Sequence, residues 1–487
     1  MILLYNHSLC FLLSLTLLLL QDKGKFIIII SITLAVVEIF LWAQREKKTG
    51  YLNWCNPIPT FVFGYCLVFY QLPFCYLFDF DLSSKSLRLI YSPENIPYTV
   101  ALASMALAAF FCGEQFFFYR KNKKLLQDYS IKLEEKNISF RLDNKTAKMI
   151  LICIGSLCYL IYILQAGGLS AFTGVTYTII RGGYSSGSFS AYCFMGYNIC
   201  SYTLMIYEIK SLVKIRSYSI RTYIQAWSKM SLVWFAITQV PFLIGGDRGI
   251  YLLFFTLLIA PYFLFVKPLD LKKAVLGAII GAVLLSLTGA ARDAYNFSWS
   301  EALQKQSETI SKPGLWPTME LGNSYGTFNI ASSYFPHLYD YNYGLNTFYS
   351  LANIVPFSSY LTEITKKNST NEYIYSSALF FTYIINKGSF SSGAGTSILA
   401  DLYIDYGPYG LPVFLFAWGM TLGWLNHKAK LHNSEIFIFY FSYFSYVAFY
   451  INRARLFSGF NILIFTFIFY NLINNIMKYR IISGPSR

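Results

Sequence analysis

Apolar residues run along this chain in blocks of about 18 to 22, separated by short polar or charged stretches, and a helix needs about that length to cross a hydrocarbon core of roughly 30 Å. The blocks fall at residues 2–20, 26–43, 58–78, 97–118, 147–165, 190–209, 229–245, 249–266, 273–291, 408–425, 436–451 and 456–476. Each satisfies its own backbone N–H and C=O groups if it is helical, the condition for an element to sit in lipid. The pattern predicts an all-α polytopic membrane protein of about twelve spans. Connections are short except between residues 292 and 405. The chain therefore divides into 1–291 with spans one to nine, 292–405 as one large outer loop with short helices, and 406–487 with spans ten to twelve and the C-terminal tail.

Composition agrees with this pattern. Of 487 residues, 55% are hydrophobic, 19% aromatic and 13% charged, about half the charged share of a soluble domain. The net charge of +15, from 39 Lys and Arg against 24 Asp and Glu, raises the question of a nucleic-acid partner. The placement of the charges answers it. Alternating the connections puts 25 basic residues on one side, in the loops after spans two, four, six, eight and ten and in the C-terminal tail, and 14 on the other. Long loops translocate largely regardless of charge, and leaving out residues 292–405 makes the comparison 25 against 8. Both termini are expected in the cytoplasm. The excess is explained by orientation and by attraction to anionic lipids of the inner leaflet, so nucleic acid is not needed as a partner.

The first block lacks a basic stretch before it and a small-residue cleavage site before Gln21, so it is expected to be an uncleaved span. All nine cysteines lie in the first 200 residues with no C-x-x-C pair, supporting neither a disulfide framework nor a zinc site, and no other metal or cofactor is called for.

The outer loop is the place to look for chemistry, because more than about 100 residues of connection need a structure or a function. Aromatics crowd Tyr334, Phe335, Tyr339, Tyr341, Tyr343, Phe348 and Tyr349, with Asp340, Asn342 and Asn346 among them. Aromatic faces beside polar edges suit pyranose rings, and an interfacial aromatic belt gives the same pattern. Tyr339 and Tyr343 are candidate sugar contacts. His337 is the only histidine on the outer side of this topology, and an imidazole titrating near pH 6.5 suits removal of a proton from a sugar hydroxyl. A histidine bonded within its loop is the alternative. The apolar segment Ala378–Ile385 is too short to span, so a re-entrant or surface-lying helix is expected. After it come Gly388, Gly393, Gly395, Thr396 and Ser397, an anion-binding loop or simply a loop and helix cap, and then Asp401 and Asp405 before span ten.

Five arginines stand at the outer ends of spans: Arg181 in RGGYSSGS, Arg248 in GGDRG, Arg292 at the exit of span nine, and Arg453 and Arg455 in NRAR. They run against the inside bias, and guanidinium groups hold phosphate oxygens in bidentate fashion at any physiological pH. A lipid-attached pyrophosphate at the outer surface fits such a ring. Local pairing of Arg248 with Asp247 and of Arg292 with Asp293, or a turn-anchoring role for the NRAR pair, is the structural alternative.

The chain resembles the bacterial O-antigen polymerase (Wzy) family, the oligosaccharide repeat unit polymerases. The likeness rests on the twelve-span plan with a large loop before the last three spans, the GGDRG turn, His337 with Gly344 and Asn353–Pro356, and GAGTSILADLYIDYGPYG leading into span ten. The resemblance implies a GT-C-like glycosyltransferase working without metal at the periplasmic face of the bacterial inner membrane. It would join undecaprenyl-pyrophosphate-linked oligosaccharide repeat units, with a polysaccharide chain-length regulator as partner. By position it implies that His337, Arg292 and Arg248 are catalytic and that Arg181, Arg453 and Arg455 bind substrate. An R-x10-G pattern of some members is not present at Arg181 or Arg292, where Tyr192 and Leu303 stand at the glycine position. An O-antigen ligase using the same donor, a lipid-linked oligosaccharide flippase and an inactive assembly partner are the competing readings. The rim arginines and the large loop favour surface chemistry over translocation.

Overall fold

The computed structural model describes residues 2–19, 24–48, 52–80, 92–128, 144–165, 168, 189–213, 219–244, 248–293, 304, 318–355, 376–388, 395–431 and 434–482, and among these every regular element is helical. In chain order the helices are α1 (Ile2–Leu19), α2 (Lys25–Lys48), α3 (Pro57–Phe69), α4 (Gln71–Leu77), α5 (Ile96–Asp128), α6 (Asn144–Gln165), α7 (Phe189–Val213), α8 (Ile220–Ala226) and α9 (Lys229–Ile244). They continue with α10 (Arg248–Phe265), α11 (Leu271–Asp293), α12 (Met319–Tyr334), α13 (Leu345–Ala352), α14 (Ser377–Ile385), α15 (Ile398–Lys430), α16 (Glu435–Tyr450) and α17 (Phe460–Ile482). A helix lies over every apolar block of the sequence. Among the described residues five segments, Lys25–Lys48, Pro57–Leu77, Pro93–Phe117, Lys145–Gln165 and Phe460–Met477, are long and apolar enough to cross a membrane, and Asn6–Leu19, Lys229–Leu243 and Gly249–Phe265 are shorter apolar helices. These are the features of a multi-pass membrane protein.

The centre of the bundle is α5 against α15. The two run parallel: the Tyr98 and Tyr403 hydroxyls meet at 3.4 Å near the start of both, and Gly423 lies beside Glu114 further along. Glycine sets their separation. A Cβ on Gly113 would stand 1.9 Å from the Phe416 carbonyl oxygen, and one on Gly419 would stand 2.0 Å from that of Phe110. Close backbone approach through small residues is the usual way to hold helices together in lipid, where apolar burial between them gains little.

At the opposite end of α5 and α15 lies a buried ion network. Arg45 donates to both Glu114 oxygens at 2.5 and 2.6 Å and to Glu46 at 3.0 Å, and Lys430 reaches Glu46 at 3.2 Å. Reading Arg45 as a loop residue facing the leaflet is corrected here, because it is buried in the last turn of α2. Lys148 likewise pairs with Glu208 at 2.8 Å, and Lys210 lies 3.8 Å from Glu435. Of the basic residues counted toward orientation, Arg45 and Lys148 are thus buried and Lys430 and Lys210 partly buried against acidic partners.

Between α11 and α15 the described residues form a layer over the end of the bundle where α5 and α15 begin, the end expected to face outward. Helix α12 has no apolar run, which is why hydropathy passes over it, yet Tyr325, Phe328 and Ala331 are completely buried. Its polar groups are satisfied by the outer ends of the spans. Asn329 takes a bond from the Ser92 amide at 2.9 Å and returns one to the Ser92 carbonyl at 3.0 Å, Asn95 donates to Ser332 at 2.6 Å, and the Tyr325 and Thr99 hydroxyls pair. Phe328 meets Phe69 and Tyr403 edge-on, so α12 wedges between α3 and α15. Helix α14 covers the apolar segment 378–385. It buries Phe380 and Phe381 inside this layer, with Phe380 against Phe335 and Tyr339, instead of lying on a surface.

Candidate functional site

Helix α13 starts where the chain takes two left-handed steps, Tyr343 at φ 48° and Gly344 at φ 91°. Its N-cap is that glycine, which has no side chain to receive the first amides. Asp405 supplies the missing acceptor from another element. Its carboxylate accepts from the amides of Asn346 (3.0 Å) and Thr347 (2.7 Å), from Thr347 Oγ1 (2.6 Å) and from Asn346 Nδ2 (3.2 Å). A negative group at a helix N-terminus also meets the positive end of the helix dipole.

One helical turn earlier, Asp401 projects from the same face of α15. It accepts from the Ser377 hydroxyl, from Thr396 Oγ1 at 2.7 Å and from the Leu456 amide at 2.9 Å. Asn346 Oδ1 accepts from the Ser377 amide at 2.8 Å and closes the chain Asp405, Asn346, Ser377, Asp401. Two buried carboxylates thus tie α13, α14, the start of α15 and the turn after α16 into one unit. Both precede Gly407 (φ 63°), where α15 kinks ahead of the expected span ten. Burial pushes the Asp401 carboxyl up to about 6, against the pull of its three donors and of the nearby Arg455 charge. Asp405 is raised for the same reason.

The turn pinned by Asp401 carries the NRAR pair. Helix α16 has 16 residues, about 24 Å at 1.5 Å per residue, short of a core of roughly 30 Å. The turn at 451–459 joins it to α17. Asn452 holds it by donating to the Phe61 carbonyl at 3.1 Å. The Arg455 guanidinium lies over the Tyr349 ring, 5.6 Å from its centroid, in cation–π geometry. Among the described residues Arg455 forms no ion pair, and it is half-buried.

Of the residues expected from the sequence, the structure thus brings Arg455 together with Tyr349 and Asp401. Arg453 is half-buried in the same turn. His337 is exposed in the turn after α12. Tyr343 is 82% exposed, whereas Tyr339 is half-buried, stacked on Tyr334 and packed against Phe335 and Phe380. Arg248 is the first residue of α10 and Arg292 the last but one of α11; their side chains, and Arg181, Gly393 and Pro356 entirely, lie outside the described residues. The sequence reading missed the work done by Asp401 and Asp405. Two carboxylates spaced i, i+4 immediately before a span are costly unless engaged, and that was the available signal.

Comparison with known proteins decides between the competing readings. The chain matches the O-antigen polysaccharide polymerase Wzy family over residues 4–481, nearly its whole length. It belongs to that family. Membership carries polymerisation of O-antigen repeat units in general, a glycosyltransferase-like polymerase acting on lipid-linked repeat units in the membrane, and it favours polymerase over ligase, flippase or inactive partner. No curated protein and no solved structure matches the chain.

Proposed function

We propose that this polymerase joins undecaprenyl-pyrophosphate-linked repeat units at the periplasmic face of the bacterial inner membrane, in a metal-independent transfer. Its twelve spans take a GT-C-like arrangement, both termini are cytoplasmic, and residues 292–405 form the periplasmic part. The observation that carries the reading is Arg455: a guanidinium with no ion pair among the described residues, set over the Tyr349 ring on a turn pinned by Asp401.

In this reading the oxygen of an acceptor sugar hydroxyl bonds to the anomeric carbon of the donor. The bond from that carbon to the pyrophosphate breaks, and the lipid pyrophosphate leaves with the electron pair. His337 takes the hydroxyl proton; its place on an exposed turn gives a bulky glycan access. Arg292 and Arg248 meet the charge that grows on the leaving group, and Arg181, Arg453 and Arg455 hold the same phosphates. Tyr343 presents its exposed ring face to the sugars, and Tyr339 supports that face from within the layer. A chain-length regulator acts as partner in setting how many units are joined.

Complementation tests the reading. In a deletion strain, His337→Ala and Arg292→Ala, each at wild-type expression, are expected to leave lipopolysaccharide capped with single repeat units. Restoration of long chains by both would sink the catalytic assignment.

A further inference from the structure

Helix α13 is amphipathic in the opposite sense to a helix on a soluble protein. Its polar and small residues Asn346, Ser350 and Ala352 are buried, while Phe348 (44%), Leu351 (42%) and, on the turn that continues it, Val355 (51%) are exposed. The spacing i, i+3, i+7 puts these three on one stripe. The polar face is inward because it is needed there: Asn346 and the first amides are the groups held by Asp405 and Ser377.

An apolar stripe at the outer surface needs a cover. Three observations indicate what covers it. Asp405, which holds the start of α13, stands two residues before the Gly407 kink of α15, so the stripe is fixed beside the helix that continues as the expected span ten. Tyr349, next to Phe348 on the same helix, carries the Arg455 guanidinium, so a cation borders the apolar stripe. And the family's substrates are lipid-linked, a long apolar tail joined to an anionic head.

We propose that the Phe348, Leu351 and Val355 stripe is the entry track for the isoprenoid tail of the lipid-linked substrate, and that the Arg455–Tyr349 pair at its edge receives the phosphate. The inference rests on the polymerase reading and locates its lipid subsite. The tail lies along the stripe while the head turns toward the outer layer that bears His337. Apolar burial supplies affinity without direction, and the guanidinium fixes which end of the lipid comes to rest.

The test uses full-length protein in nanodiscs and two readouts. The first is photo-crosslinking with a diazirine-bearing C55 isoprenoid pyrophosphate, which needs no catalysis. Crosslinks are expected within residues 345–355, and Phe348→Ser/Leu351→Ser is expected to reduce them about tenfold, the effect of removing two apolar contacts. Both side chains are exposed, so the variant is expected to fold, as checked by its thermal melt. The second readout is KM for repeat units on a C55 tail and on a short C10 tail. The double variant is expected to raise KM about tenfold for C55 and less than twofold for C10. Equal losses on both tails, or crosslinking displaced equally well by ordinary phospholipid, would make the stripe a general membrane anchor and overturn the proposal. Unchanged crosslinking with altered product length would make it a protein-docking face and also overturn it. Absence of polymer from wild-type protein with crosslinking intact would count against the polymerase reading alone.

Discussion

Replacing Asp405 with alanine tests how the outer layer is held to the spans. The carboxylate serves four donors, two of them the first amides of α13, and Asn346 is buried. Alanine leaves those amides without an acceptor, at about 1–3 kcal/mol for each buried unsatisfied group. Relief of the carboxylate's own burial offsets part of this, since that burial already raises its pKa. A net loss of about 2–4 kcal/mol shifts the docking equilibrium of α13 by about 30- to 1000-fold. Hydrogen exchange of residues 345–352, read by mass spectrometry on protein in nanodiscs, is the assay, because local opening sets the exchange rate of amides that the cap protects. Exchange in Asp405→Ala should be at least about 30-fold faster while the amides of α5 are unaffected. Asp405→Asn retains one oxygen and should fall between. If exchange in the alanine variant stays within threefold of wild type, the carboxylate does not cap this helix.

Three further outcomes are expected. Arg45→Ala strands Glu114 in the bundle, while Glu46 keeps Lys430, and should cost about 3–5 kcal/mol, seen as a large drop in melting temperature, whereas Arg45→Met with Glu114→Leu should lose much less because no charge is left alone. Gly419→Ala forces α5 and α15 apart, since the new Cβ would stand 2.0 Å from the Phe110 carbonyl; overpacking of this kind costs about 1–3 kcal/mol or more and should lower yield of folded protein, while Gly277→Ala, with open space around it, should not. Asp401 titrates near 6 against 3.8 for an ordinary aspartate. Between those values the folded state holds more proton than the unfolded chain, so its contribution to stability is greatest below about pH 4, falls as pH rises to about 6 and is flat above. Melting curves from pH 4 to 7 should show this slope, and Asp401→Asn should reduce it, leaving the part that the raised Asp405 contributes.

The apolar helices were legible because a helix in lipid must be apolar over a known length, and that is a property of each segment alone. Helix α12 was not, because MELGNSYGTFNIASSY is buried by exchanging hydrogen bonds with Ser92, Asn95 and Thr99, more than 200 positions away. For the same reason the arginines could be recognised as a set but not ranked. Arg455 stands out only once Tyr349 and Asp401, distant in sequence, are seen beside it. The outer aromatics divide similarly. Tyr339 and Tyr343 have the same composition around them, and packing alone makes one a half-buried support and the other an exposed face.

The internal pairs of Arg45, Lys148, Lys210 and Lys430 bear on when each charge acts. During insertion the helices have not met, and a basic residue near the end of a span then speaks only to the membrane and sets which way the span faces. When the bundle closes, the same residues find Glu114, Glu46, Glu208 and Glu435, and Arg45 and Lys148 become buried. One set of side chains therefore serves two stages of the protein's life, first as an address and later as a fastening. A neutral substitution at any of these four positions removes both, so a loss of folded protein and a wrongly oriented span would arise from the same mutation by different routes.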